Sequence, residues 1–189
     1  MNPLFETAVE VQAFIEGRGW RFAFIGGIAV LRWGEPIATQ DVDVALLTGF
    51  GHEKTYVDAL LARFASRVPD PTGFALRNRV LLLKGSNGVA IDVSLAAIPF
   101  EEQMVARSTA HTFSPGVDLR TCGAEDLVVL KAFAGRSKDW AAVETIVARH
   151  GAVLDWTWIE SHLRPLCELK EDRQSVDRLL RLRSERPGD

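Results

Sequence analysis

An apolar strand that runs into two glycines, followed a short way on by aspartates alternating with valines, constrains this chain more than any other feature. Residues 24–30 read Phe-Ile-Gly-Gly-Ile-Ala-Val, and residues 39–45 read Thr-Gln-Asp-Val-Asp-Val-Ala. Successive side chains of a strand point to opposite faces. Val42 and Val44 therefore enter a core. Asp41 and Asp43 stand side by side on the other face, roughly 6.5–7 Å apart at Cα. Two ionised carboxylates held that close repel, and a fold tolerates them mainly when a cation sits between them. Hard oxygen ligands suit Mg²⁺, which takes one or two carboxylates together with substrate phosphates.

A third carboxylate follows the same rule. Residues 89–95 read Val-Ala-Ile-Asp-Val-Ser-Leu, with Asp92 the only charge on an otherwise apolar strand. Plain structural readings stand beside these. Asp41 and Asp43 also suit a solvated strand end, and Asp92 could pair with Arg79 or Lys84 on the neighbouring apolar run. Gly26-Gly27 also suits a bare strand-to-helix turn, because glycine serves wherever backbone dihedrals are unusual.

A glycine pair, a short connection, Asp-x-Asp on a strand and a later strand carboxylate together resemble the nucleotidyltransferase superfamily that includes DNA polymerase β. Thirteen residues separate Gly27 from Asp41, the long end of that pattern. The resemblance implies that Asp41, Asp43 and Asp92 are catalytic and hold two Mg²⁺ ions, with Mn²⁺ as an alternative. It implies that Gly26, Gly27 and Thr39 border a bound nucleoside triphosphate. Shared strand parity then brings the three carboxylates within roughly 4–6 Å of one another, as a two-metal site requires.

Composition narrows the class and the compartment. In 189 residues the chain can bury a substantial core, and 47% hydrophobic with 25% charged residues is ordinary for a globular protein. A net charge of −3 removes any global electrostatic case for nucleic acid, so such a surface has to be local. Cys122 and Cys167 have no metal-like spacing, and the four histidines are scattered. No secretory or membrane-spanning run stands out, so the expected location is cytoplasmic, with reduced thiols and no membrane partner.

Periodicity predicts a helix over residues 4–16, a strand over 20–25, a short helix over 28–33 and a strand over 42–47. A helix over 53–64, a loop at Pro69 and Pro71, and strands over 74–84 and 89–95 follow, the last two joined through Gly85 and Gly88 as a hairpin. A short helix over 100–106 precedes two brief extended pieces. From Cys122 onward the pattern is helical, with Ser137 as the N-cap of one helix. The expected architecture is α/β (α+β): a nucleotidyltransferase-type mixed sheet flanked by helices over residues 1–120, and a helical portion over 121–189 packed on it.

The run Thr121-Cys-Gly-Ala-Glu-Asp-Leu-Val-Val-Leu-Lys-Ala-Phe-Ala-Gly-Arg-Ser-Lys-Asp139 is similar to the AbiEii-type abortive-infection toxin nucleotidyltransferases and their uncharacterised relatives. That likeness implies that Lys131, Arg136 and Lys138 bind the nucleotide. Lysine serves as a point charge near phosphates, and arginine clamps two phosphate oxygens. The plain alternative is a solvated helix face, with Asp139 capping its helix or pairing with Lys138. The resemblance further implies a toxin-like enzyme that moves a nucleoside monophosphate to an RNA such as tRNA and has an antitoxin protein as partner.

Three positions depart from the relatives. Gly27 stands where many carry serine, Ile37 where many carry arginine, and Ala142 where many carry aspartate. A drug-modifying nucleotidyltransferase is the main alternative, and a non-catalytic nucleotide- or partner-binding module is the other. Residues 170–189 hold six basic and five acidic residues, too balanced for an RNA track. Leu169, Val176, Leu179 and Leu180 are expected to face a core. Trp156 and Trp158 suit either base stacking or the anchoring of a helix.

Overall fold

The computed structural model describes residues 2–36 and 38–185, so Ile37 and the last four residues of the tail lie outside the described residues. The chain divides into two compact units, Met1–Ile28 with Ala38–Cys122, and Ala29–Ile37 with Gly123–Asp189.

The first unit begins with helix α1 (Pro3–Glu16), capped by Asn2, whose Oδ1 accepts from the Leu4 N–H at 2.9 Å. Leu4, Ala8, Val11 and Ile15 recur at helical spacing and are buried. Then come β1 (Phe22–Phe24), α2 (Gly26–Trp33, whose later turns belong to the second unit), β2 (Asp41–Leu47), α3 (Glu53–Leu61) and β3 (Ala65–Ser66). After these follow α4 (Pro71–Asn78), β4 (Val80–Lys84), β5 (Ala90–Ala96), α5 (Pro99–Arg107), β6 (Thr109–Ser114) and β7 (Val117–Thr121).

The described strands form one mixed sheet in the order β3-β4-β5-β2-β1-β7-β6. The central pair β2 and β5 is parallel, with Asp41 opposite Ala90 and Asp43 opposite Asp92. β1 joins β2 antiparallel, and β4 joins β5 antiparallel through the expected hairpin. Val42, Val44, Ile91, Val93 and Leu81 are wholly buried on one side of this centre. Alternation in β2 and β5 therefore leaves the aspartates on the opposite face, half-exposed.

The strand expected from residue 74 begins only at Val80. Residues 71–78 form α4 instead, because Pro71 sits in the first turn and the Asp70 carboxylate accepts from the Gly73 N–H at 2.9 Å. Arg79 takes a left-handed φ of 53° and turns the chain out of the helix into β4.

The second unit holds α6 (Ala124–Ala134), α7 (Ser137–His150), α8 (Trp156–Leu169) and α9 (Arg173–Ser184). Helix α6 is its centre: Leu127, Val128, Val129 and Ala132 are fully buried, and α7, α8 and α9 pack around it. Ser137 is the first helical residue rather than the cap, a position that falls on Arg136. Trp156 is buried and donates to the Gly151 carbonyl at 2.9 Å, while Trp158 donates to the buried Asp126 carboxylate at 2.9 Å. Both indoles thus anchor the helical unit. Val176 and Leu179 face its interior as expected, but Leu169 is 86% exposed. It ends its helix at a turn, where periodicity no longer dictates a face. No helix among the described residues is long and apolar enough to cross a membrane.

Candidate metal centre

The parallel β2–β5 ladder builds the site. Because Asp43 and Asp92 are register partners on one sheet face and Asp41 lies two residues along β2, the three carboxylates converge. One oxygen from each lies within 4.8 Å of the other two. Three hard, half-exposed oxygen donors at this spacing form a donor set that fits a divalent ion such as Mg²⁺.

The glycine turn is shaped around this cluster. Gly26 opens α2 with φ +56°, and a Cβ at that position would run into the Asp43 carboxylate. Only glycine satisfies both the backbone angle and the close approach. The Gly27 N–H points at Asp43 Oδ2, 3.4 Å away. Ile25 donates its N–H to the Asp43 carbonyl at 3.0 Å, which ties the turn to β2. The positive end of the helix therefore lies beside the carboxylates.

Thr39 accounts for glycine at position 27. A Cβ on Gly27 would collide with the Thr39 side chain. The Thr39 hydroxyl lies 3.3 Å from both the Asp41 carbonyl and Asp41 Oδ1. A hydroxyl is thus present beside Gly27, carried by the incoming loop rather than by the helix. Ala142, another departure, is buried in α7, where an aspartate would need a partner of its own.

Asp92 pairs with neither Arg79 nor Lys84. Its partner is Arg67, whose Nη2 contacts Asp92 Oδ1 in a salt bridge, with side-chain exposures of 27% and 31%. Arg79 instead bonds Glu53 at 2.6 Å and the Leu95 carbonyl. Sheet register explains the choice. Arg67 donates its N–H to Leu82, and Leu82 is the β4 partner of Asp92, so Arg67 reaches across one strand. Burial, the largest influence, pushes the Asp92 carboxyl up. The Arg67 charge pulls it back, Asp41 pushes it up again, and the net pKa lies above the ordinary aspartate value. Arg67 has no signal in the linear sequence, since only the pairing of β3 with β4 places it.

In the second unit, Lys131 and Arg136 converge on one carboxylate. Lys131 Nζ lies 2.9 Å from Asp139 Oδ1, and Arg136 Nε lies 2.5 Å from Oδ2. Asp139 is fully buried. Burial alone would raise its pKa, but the hydrogen bonds from Arg136 and Lys131 outweigh it and hold the carboxyl below the ordinary value. Lys138 stands exposed in the first turn of α7. Asp139 thus pairs with Lys131 and Arg136 rather than with Lys138.

No family model and no curated protein matches the sequence. Solved structures do match the fold. An antigenic nucleotidyltransferase-like protein from Paracoccidioides brasiliensis aligns with a TM-score of 0.50 and 13% identity, over 96% of this chain and 94% of that one. The lincosamide antibiotic adenylyltransferase LnuA, lincomycin-bound, aligns with a TM-score of 0.52 and 11% identity, over 75% of this chain and 94% of its own. At such identities the likeness is one of architecture. The chain has a nucleotidyltransferase-type fold.

Proposed function

We propose that this chain is a metal-dependent nucleotidyltransferase that moves a nucleoside monophosphate from an NTP to an acceptor hydroxyl. The observation that carries this reading is the convergence of Asp41, Asp43 and Asp92 beside the Gly26–Gly27 helix start. Asp41 and Asp43 would hold two Mg²⁺ ions, with Mn²⁺ as a substitute, and Asp92 would complete the site. Ions held there would stabilise the attacking and leaving oxygens of an in-line displacement. The Gly27 N–H and the Thr39 hydroxyl would bind the triphosphate. Asp92 would take the proton of the acceptor hydroxyl.

For the acceptor we favour RNA such as tRNA, in a toxin-like activity countered by an antitoxin protein. The run from Thr121 to Asp139, similar to AbiEii-type toxins, supports this choice, and Lys131, Arg136 and Lys138 are then candidates for nucleotide contacts. A small-molecule acceptor is the second reading, supported by the fold shared with LnuA, a lincosamide adenylyltransferase. One experiment separates the two. The protein is incubated with each labelled NTP and Mg²⁺, together with total RNA, cell extract or a panel of lincosamides and aminoglycosides. Label on RNA supports the first reading and label on a drug the second. No label in any arm, with folded protein and all four NTPs, removes the transferase proposal.

A further inference from the structure

The Asp92 contact places a cation of the protein's own against the acidic cluster. Three carboxylates whose oxygens lie within 4.8 Å of one another repel strongly when half-buried. Arg67 offsets part of that repulsion by placing its guanidinium on Asp92 Oδ1. The arginine is not otherwise well satisfied: its Nε is buried and finds no acceptor among the described residues. Its backbone is held by the hydrogen bond to Leu82, so the side chain is aimed by the sheet. A guanidinium and a divalent ion are both cations, and both seek the same carboxylate oxygen.

We propose that Arg67 is a built-in counter-cation of the metal centre: it holds Asp92 in the metal-free protein and competes with a divalent ion for that carboxylate. The inference rests on the reading of Asp41, Asp43 and Asp92 as metal ligands. Arg67 thereby stabilises the metal-free fold and weakens ion binding in the absence of nucleotide. A metal–triphosphate complex, whose phosphates supply further oxygens and negative charge, overcomes the competition more readily than the bare ion. Occupancy of the full site is in this way biased towards the moment when substrate is present.

The test is a Mn²⁺ titration without nucleotide, read by electron paramagnetic resonance and by the thermal midpoint. Arg67→Gln should bind Mn²⁺ about fivefold more tightly than wild type, the size expected for losing one contact-range competing charge. Its metal-free midpoint should fall, and saturating Mn²⁺ should close most of that gap. Arg67→Lys, which keeps the charge, should bring back most of the wild-type affinity. Arg77→Gln removes an equal charge from an exposed pair with Asp70 and should change nothing. Arg67→Met, which keeps the aliphatic stem, reads the same quantity if the Gln variant does not fold. Unchanged or weaker Mn²⁺ binding in both neutral variants would overturn the inference, as would equal tightening by Arg77→Gln. Asp43→Asn tells this failure from that of the metal reading itself. If it binds Mn²⁺ as wild type does, the carboxylates are not the ligands.

Discussion

Asp43 on β2 and Asp92 on β5 are register partners across a parallel ladder, so their carboxylates share one row and one face of the sheet. Backbone hydrogen bonds set this relationship, and a side-chain rearrangement alone cannot undo it. A slip of either strand by one residue would send its aspartate into the core and its valine neighbours to solvent.

The first prediction follows from that geometry. Mg²⁺ with a saturating NTP should raise the thermal midpoint of wild type, by about 2.7 kcal/mol at a hundredfold excess over Kd. For a chain of this size that is about 5–10 °C. Asp43→Asn should lose most of this gain while keeping the fold, because it removes a ligand and also relieves repulsion. Equal ligand-dependent shifts in the two proteins would rule out Asp43 as a ligand.

Gly26→Ala should be costly on two counts. The left-handed φ is worth about 1–3 kcal/mol against any residue with a Cβ, and the new methyl meets the Asp43 carboxylate. A lower urea midpoint and a weakened Mn²⁺ affinity should appear together. Loss of stability with metal affinity intact would mean that the turn and the carboxylate are not mechanically linked.

Gly27→Ser is the obvious way to install a hydroxyl at the helix start, yet Thr39 already occupies that space. The single variant should therefore be destabilised rather than improved. Thr39→Gly in the same chain should recover stability, with a coupling of about 1 kcal/mol or more in a double-mutant cycle. Additive effects would show that the two side chains do not compete.

Lys131→Ala should destabilise the helical unit by about 1–3 kcal/mol, since it strips a hydrogen-bonded cation from a buried carboxylate. An exposed lysine would have shown no such cost, but Lys131 is only 15% exposed and Asp139 is fully buried. Urea unfolding measures this directly. A variant as stable as wild type would leave Asp139 adequately served by Arg136 alone.

Acid should reveal the same cluster. The folded-state pKa of Asp139 lies below its ordinary value of 3.8. Its contribution to stability is therefore complete above that value and disappears as pH falls through the lower, folded one. The stability gap between wild type and Asp139→Asn should be widest near about pH 6 and narrow steadily below about pH 4. A gap that does not change with pH would mean that the charge of Asp139 contributes nothing.

Local alternation made the central strands, the hairpin between β4 and β5, and the three aspartates legible in the linear chain. A strand half-buried against a core must separate its apolar and polar residues with a period of two, and that period is written in the residues themselves. The glycine pair was legible for a similar reason, because a tight approach of backbone to carboxylate tolerates no side chain. Other features were decided only by tertiary structure. Arg67 meets Asp92 because β3 pairs with β4 and β4 with β5, a register that no local pattern encodes. Thr39 fills the space beside Gly27 because the incoming loop passes there. Lys131 and Arg136 meet at Asp139 because a buried carboxylate demands cations, whichever helix supplies them. The α4 helix, by contrast, was written locally in the Asp70 cap and Pro71, a signal that the strand reading of residues 74–84 passed over. Short-range periodicity is a property of the chain, whereas the partner of a buried charge is a property of the packed fold.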